Sequence, residues 1–444
     1  MIKRAQKLIK TAWEHPGMRK YGANTIWLFS EKIIRMLIGF TVGIYVARQL
    51  GPSKYGLLNY AISFCAIFSF ISSLGLDSIV VRELVKFPER KNELLGTTFW
   101  LKTIGVLLMF GLVCAGVFLS KNDAQTNILV LIIAAGYLFQ TFQTIDFYFQ
   151  AQVMSKYVAI SQVIAWTLVS AGRAFFAYTG APLMYFAMLE AANMALMSLG
   201  YLFFYIIKVS HPFHWKFRLD TARGLLKDSW PLLLSGAAGI IYMRIDQVMI
   251  KEMLGDAANG QYAVAIRLCE LFYFLPMVIC SSLFPSIIRA QEVSNEHFEH
   301  RMQLLYEAML GMSFAIAVPL ALFAQYIVLT LFGKPYQGAV TVVVIYIWRL
   351  PLVAFGIVSV KWMITKNLQN YSLVFAAFGA LANITLNYFL IKAVGLSGCA
   401  IATIIASVLF VMIAPFLFHK TRLASVQMMR AFLFIETFYK IRRL

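Results

Sequence analysis

The chain has 444 residues, of which 60% are hydrophobic and 13% charged, and its mean hydropathy is +0.74; soluble globular domains run at roughly 45–50% apolar and about 25% charged. This composition excludes a water-soluble enzyme, and at about 20 residues per span a dozen membrane helices leave no room for a large extramembrane domain. The net charge of +19 falls in short gaps between apolar runs and not on one exposed face, so no nucleic-acid partner is expected and the charge is read as membrane topology.

Residues 1–23 form a basic N-terminal segment with Lys3, Arg4, Lys7, Lys10, Arg19 and Lys20, too long and too charged for the leading part of a cleaved signal. Apolar runs then predict spans near 24–48, 57–82, 95–119, 126–149, 157–179 and 183–207. A polar gap at 208–227 follows, and a second set lies near 228–251, 262–288, 304–327, 337–363, 371–393 and 396–419. The expected architecture is an all-α integral membrane protein of about 12 transmembrane helices in two six-helix lobes, 24–207 and 228–419, joined by the 208–227 linker. Residues 420–444 mix Arg422, Arg430, Lys440, Arg442 and Arg443 with Phe432, Phe434, Ile435 and Phe438, either an amphipathic segment on the cytoplasmic leaflet or a solvated basic tail.

An even number of spans puts both ends on one side. With the N-terminus inside, inner loops and tails hold about 26 of the 39 basic residues, against about six outside and seven within spans. Both termini are therefore expected in the cytoplasm. The two sets of spans also suggest a parallel repeat: Leu50-Gly51-Pro52, Tyr55-Gly56 and Tyr60-Ala61 correspond to Leu254-Gly255, Asn259-Gly260 and Tyr262-Ala263. Six spans per half give both halves the same orientation, the arrangement of transporters that work by alternating access between two lobes.

Charges at bilayer depth are the default functional candidates. The predicted spans contain Glu31, Lys32, Arg35, Asp77, Lys102, Asp146, Arg173, Glu190, Arg244, Asp246, Arg267, Glu270, Glu307 and Arg349. Some neutralise each other on one helix face, as Glu31 with Arg35 at i,i+4 and Arg267 with Glu270 at i,i+3. Arg35, Arg244, Asp246 and Arg349 sit deepest, so arginine outnumbers acid there. A guanidinium stays protonated and binds phosphate oxygens bidentately, which points to an anionic, phosphate-bearing substrate. Arg244 and Asp246 lie about 200° apart around a helix and do not simply cancel. Asp246 is then either a carboxylate that exchanges a coupling ion or one end of an interhelical bridge to Arg349 or Arg35.

Signals of catalysis and of metal binding are weak. The six histidines fall outside the spans, the five cysteines form no CxxC pair, and GxSxG, HExxH and P-loop patterns are missing from the sequence. No metal or other cofactor is expected beyond proton or sodium coupling, with Asp246, Glu270 and Asp146 as the carboxylates available for it. A polymerase or glycosyltransferase would need a sizeable loop for its catalytic residues, and no predicted outer loop extends much beyond about ten residues.

Several motifs carry a resemblance. The run Val46-Ala47-Arg48-Gln49-Leu50-Gly51-Pro52-Ser53-Lys54-Tyr55-Gly56, with Leu74-Gly75-Leu76-Asp77 and Val81-Arg82-Glu83-Leu84, resembles the start of polysaccharide repeat-unit flippases of the Wzx type. Ser229-Trp230-Pro231-Leu232, Ile241-Tyr242-Met243-Arg244-Ile245-Asp246-Gln247-Val248-Met249 and Pro285-Ser286-Ile287-Ile288 resemble the same family's seventh and eighth spans. The resemblance implies a two-lobe, MATE-like exporter related in architecture to multidrug transporters and lipid II flippases. Its expected cargo is an undecaprenyl-diphosphate-linked oligosaccharide, moved from the cytoplasmic to the outer leaflet of the inner membrane for O-antigen or a related surface polysaccharide. On this reading Arg35, Arg244, Arg267 and Arg349 hold the diphosphate, and membrane lipids, the polysaccharide polymerase and the chain-length machinery are the expected partners. An ion-coupled multidrug or cation antiporter of the same architecture is the alternative; its site would be rich in acid, against the arginine surplus.

Overall fold

The computed structural model describes residues 16–120, 122–368 and 370–434. Among these the secondary structure is helical, without strands. Eleven stretches are long and apolar enough to cross a membrane, and the first, Phe29–Lys86, takes in both of the first two predicted spans. The twelve predicted spans are thus all accounted for.

The chain opens with α1 (Pro16–Ser73), broken at Gly51, whose φ of 71° and ψ of 171° interrupt the helix just before Pro52 restarts it. Proline suits that place because the first helical N–H has no partner to lose. There follow α2 (Asp77–Lys86), α3 (Lys91–Leu119), α4 (Ala124–Gly136), α5 (Thr144–Ala151), α6 (Lys156–Tyr178) and α7 (Leu183–Lys208). After a short connection come α8 (Leu219–Leu254), α9 (Asp256–Glu270), α10 (Phe274–Val293), α11 (Asn295–Leu322) and α12 (Ala324–Phe332). The last helices are α13 (Gly338–Tyr346), α14 (Leu350–Thr365), α15 (Asn370–Val394), α16 (Leu396–Val408), α17 (Ala414–Leu417) and α18 (Arg422–Ala431). Side-chain caps mark two starts: Asp123 accepts from the Thr126 N–H before α4, and Ser294 from the His297 N–H in α11.

Two compact units emerge. The first takes the chain up to Gln49 together with Phe64–Gly236; the second takes Leu50–Ser63 and the chain from Ala237 onward. The core of the first is built from Leu76, Val80, Leu94, Phe147, Phe149 and Tyr205, among others. That of the second centres on Phe298, Met302, Tyr306, Phe355 and Trp362.

These boundaries correct the sequence reading in three places. Residues 208–227 are not a free linker: α8 already starts at Leu219, and the short connection is bound to the first unit. Lys216 N donates to Asn92 O at 3.0 Å, Arg218 N to Thr97 Oγ1 at 3.1 Å, and Gly96 leaves the room, since a Cβ there would lie 2.6 Å from the Lys216 backbone. The predicted span at 304–327 ends at Leu322, and α12 is a separate short helix. The tail is not simply solvated over 422–431: α18 buries Ala424, Met428 and Ala431 in the second core, and Gln427 donates to the Glu299 carboxylate at 3.0 Å. Residues 1–15 and 435–444, the remainder of the two basic segments, lie outside the described residues.

The glycine correspondence proves physical. Gly255, with φ 88° and ψ 177°, repeats the backbone of Gly51. Five residues on, Gly56 and Gly260 meet reciprocally within the second unit. A Cβ on Gly56 would lie 1.9 Å from Asp256 O, and one on Gly260 would lie 1.9 Å from Pro52 O. The Tyr-Ala part of the correspondence does not hold the same register, since Tyr60 follows Gly56 by four residues and Tyr262 follows Gly260 by two.

Candidate functional site

The second unit brings the chemistry together around α8. Arg244 and Asp246 diverge as their spacing predicts. Arg244 faces a cavity of about 150 Å³ lined by Tyr55, Asn59, Gln247, Arg267 and Glu270, whereas Asp246 turns into the protein and is 4% exposed.

Within the cavity Arg267 donates to Tyr55 Oη at 3.0 Å, and Gln247 accepts from Ser63 Oγ at 3.1 Å. Arg244 has no hydrogen-bond or ion-pair partner among the described residues, so its five N–H donors face the cavity unspent. Two guanidiniums against the single carboxylate of Glu270 leave the lining net positive. Such a pocket suits an anion with several oxygens, and the bidentate fork of Arg244 suits phosphate.

Arg349 occupies a different environment. It ends the 3₁₀ turn Ile347–Arg349 between α13 and α14, 7% exposed, and its donors are directed at protein: Nε to Ser407 Oγ at 3.2 Å and Nη1 to Tyr346 Oη. Glu270 Oε1 is 3.9 Å away, and the Tyr242 and Tyr346 rings lie 5.2 and 5.5 Å from its guanidinium carbon. Arg349 therefore braces the wall behind Glu270. Of the four arginines expected to bind substrate, Arg244 and Arg267 share the cavity and Arg349 stands behind it. Arg35 belongs to the first unit, where it forms the anticipated pair with Glu31 at 3.2 Å.

Within the second unit Asp246 makes no bridge to Arg349, which corrects that alternative. Three neutral donors hold it instead: Tyr262 Oη at 2.7 Å and Thr403 Oγ1 at 2.8 Å on Oδ2, and Asn387 Nδ2 at 2.7 Å on Oδ1. Asn387 and Asn383 are both fully buried, and Asn387 Oδ1 has no hydrogen-bond partner. A buried carboxylate with no cation beside it, next to an unsatisfied amide oxygen, is an oxygen-rich setting for a proton or a small monovalent cation. Sequence reasoning missed the two asparagines; their signal was the i,i+4 spacing of two amides in the otherwise apolar α15.

Asp146 lies in the first unit, 8% exposed, and accepts from Gln150 Nε2 at 3.0 Å. Nearby on α3, Lys102 is fully buried: Nζ donates to Gln143 Oε1 at 3.0 Å, approaches Asp77 Oδ1 at 3.9 Å, and stands 5.0 Å from the centre of the Phe147 ring. The sequence placed this lysine among the charges within the spans without giving it a role of its own.

The family model described as polysaccharide biosynthesis protein matches residues 21–291. No curated protein matches the chain in sequence. Among solved structures, an inward-facing multidrug resistance MATE family transporter of the MOP superfamily is similar with a TM-score of 0.72 and 16% identity, over 88% of this chain and 95% of that one. The lipid II flippase MurJ in an inward closed conformation gives 0.70 and 15%, over 94% and 92%. A MOP superfamily transporter from Pyrococcus furiosus, described as having a binding pocket of reversed polarity, gives 0.59 and 16%, over 92% and 96%. At these identities the likeness is one of fold.

Proposed function

We propose, from the premise that the chain belongs to the polysaccharide biosynthesis protein family, that this multi-pass membrane protein is a flippase for a lipid-linked oligosaccharide. Its cargo is an undecaprenyl-diphosphate-linked repeat unit, carried by alternating access from the cytoplasmic to the outer leaflet of the inner membrane for O-antigen or a related polysaccharide. Both termini then face the cytoplasm, and the polymerase and chain-length machinery receive the product.

The observation that carries this reading is Arg244: an unspent guanidinium beside Arg267 in a net-positive cavity at membrane depth. Two guanidiniums that share the one Glu270 carboxylate leave a surplus cation there, which is costly and calls for an anionic partner. A diphosphate supplies one, while its polyprenyl chain stays in lipid and its sugars require a polar path. Ion coupling is part of the proposal, with Asp246 as the exchanging carboxylate and Glu270 and Asp146 as the other two acids available.

The test is reconstitution into liposomes with an undecaprenyl-diphosphate oligosaccharide, timing the exposure of its headgroup on the opposite leaflet. Wild type should accelerate exposure, and Arg244→Ala should slow it by about 10- to 100-fold, the equivalent of roughly 1.5–3 kcal/mol for a charge-assisted contact. Exposure no faster than in protein-free liposomes would reject the flippase. Extrusion of a cationic dye that survives Arg244→Ala would instead favour the antiporter.

A further inference from the structure

The Arg244 cavity contains an anion of its own. Glu270 follows Arg267 by three residues on α9, and 38% of its side chain is exposed, so its carboxylate opens onto the space that Arg244 faces. A carboxylate and a phosphate make the same demand of a guanidinium, two oxygens presented to its fork. In a cavity of about 150 Å³ both would draw on Arg244. The acid is therefore a competitor of the cargo, and where it rests decides how much of Arg244 the cargo obtains.

The structure shows Glu270 drawn away from Arg244, with which it forms no ion pair among the described residues. Two groups hold it from behind. Tyr346 Oη donates to Oε1 at 3.4 Å, and Arg349 Nη1, which itself donates to Tyr346 Oη, stands 3.9 Å from the same oxygen. The donors run from Arg349 through Tyr346 to Glu270, each polarising the next. Arg349 is fixed by Ser407 and by the Tyr242 and Tyr346 rings, so the anchor does not travel with the acid. Both distances to Glu270 are long beside the roughly 2.5–2.9 Å of charge-assisted bonds. A close bidentate pair would sequester Glu270, and an empty wall would let it fall onto Arg244. A hold of this length keeps Arg244 open without locking the acid away.

We propose that Glu270 is a built-in counterion of the substrate site, withheld from Arg244 by Arg349 through Tyr346, and that its return to Arg244 displaces the phosphate when cargo is released. Tyr346 and Arg349 are then positioning residues, setting the affinity for a cargo they do not touch. This inference rests on the flippase reading and adds to it how the anion is let go. Arginines alone would bind a diphosphate and offer nothing to displace it, whereas an acid already in the cavity supplies the exchange without any group entering from outside.

The test measures the dissociation constant of farnesyl diphosphate, a soluble isoprenyl diphosphate, for the full-length protein in nanodiscs. Glu270→Gln keeps the shape and removes the charge; it should tighten binding about tenfold, the scale of one like charge removed from a partly buried site. Tyr346→Phe keeps the ring beside Tyr262, 6.1 Å between centres, and removes the hydroxyl that holds Glu270. It should weaken binding about threefold, as one modest hydrogen bond would. With Glu270→Gln in the same chain that loss should vanish, a rescue that a merely structural effect of the missing hydroxyl would not show. In the liposome assay Glu270→Gln should expose headgroups about tenfold more slowly, since tighter binding is not matched by release. Binding unchanged or weakened in Glu270→Gln, or a Tyr346→Phe loss that persists in the double variant, overturns the counterion and leaves the flippase standing. Tighter binding with undiminished exposure overturns the release step. Wild type and Glu270→Gln that both fail to bind the probe overturn the flippase reading and this inference with it.

Discussion

Replacing Asp246 by asparagine separates its charge from its shape. The carboxylate accepts from Tyr262, Thr403 and Asn387 at 2.7, 2.8 and 2.7 Å, and all three partners are groups that also accept hydrogen bonds. In Asp246→Asn the amide oxygen keeps the two hydroxyls, and the amide nitrogen meets Asn387. Asn387 turns over, presenting the Oδ1 that has no partner in the native protein. Its present bond to Asn383 Oδ1, 3.2 Å long, is given up unless Asn383, whose Nδ2 also has no partner, turns in step. One neutral hydrogen bond at most is lost, about 1 kcal/mol, and a buried charge without a countercation is removed in exchange. The variant should therefore unfold within about 1–2 kcal/mol of wild type, measured by thermal unfolding in detergent. Transport should lose its response to the coupling gradient. The assay is headgroup exposure in liposomes with a proton or a sodium gradient imposed in turn, compared with no gradient. Gradient stimulation as large as in wild type would refute the assignment of Asp246 to coupling. Destabilisation beyond about 4 kcal/mol would refute the argument that its three partners are interchangeable as donors and acceptors.

Arg349→Ala and Arg244→Ala should separate support from binding. Arg349→Ala removes a buried side chain that satisfies Ser407 and Tyr346 and should cost about 2–4 kcal/mol of stability by thermal unfolding, whereas Arg244→Ala should leave the unfolding midpoint nearly unchanged while transport falls. Gly260→Ala would put a Cβ 1.9 Å from Pro52 O; backbone cannot yield as a side chain does, so destabilisation of about 2 kcal/mol or more is expected, and wild-type stability would show that this contact relaxes freely. Glu299→Ala removes the acceptor of Trp362 Nε1 at 3.1 Å and Gln427 Nε2 at 3.0 Å and the partner of Lys366 at 3.0 Å. It should release α18, read as faster proteolytic cleavage near 418–422; an unchanged cleavage rate would show that the apolar face of α18 is sufficient.

The spans were legible because lipid imposes a simple rule: each backbone polar group must be satisfied within its own helix over about 20 residues, so apolar run length translates directly into an element. The break after Gln49 was legible too, through Gly51 and Pro52. Depth of charge along a helix could likewise be read. What a charge faces could not, because that depends on which neighbours surround it. Arg244 and Arg349 looked equivalent by depth, yet one opens onto a cavity and the other is enclosed by Tyr242, Tyr346 and Ser407, residues from helices far apart in the chain. Asp246 shows the same limit. Its candidate partners were sought among opposite charges, and the structure supplies neutral donors from α9, α15 and α16.

The glycine loops show how a search framed by halves misses a third member. Leu50-Gly51 to Gly56 and Leu254-Gly255 to Gly260 match because each half was expected to repeat the other. Phe332-Gly333 to Gly338 has the same spacing, and Gly333, with φ 90° and ψ 171°, adopts the backbone of the first two. All three loops belong to the second unit, and Gln261 ties the second to the third, donating to Pro335 O at 2.7 Å and accepting from Ala339 N at 2.9 Å. Asn259 ties the second to the first through Gly56 O at 2.8 Å. The common physical demand is a helix that stops and restarts at once: a residue at positive φ breaks the ladder, and five residues later a missing Cβ admits a neighbouring loop or the side chain that joins it. That demand belongs to a crossing point between helices and not to a half of the chain, which is why the same spacing recurs wherever such a crossing is built.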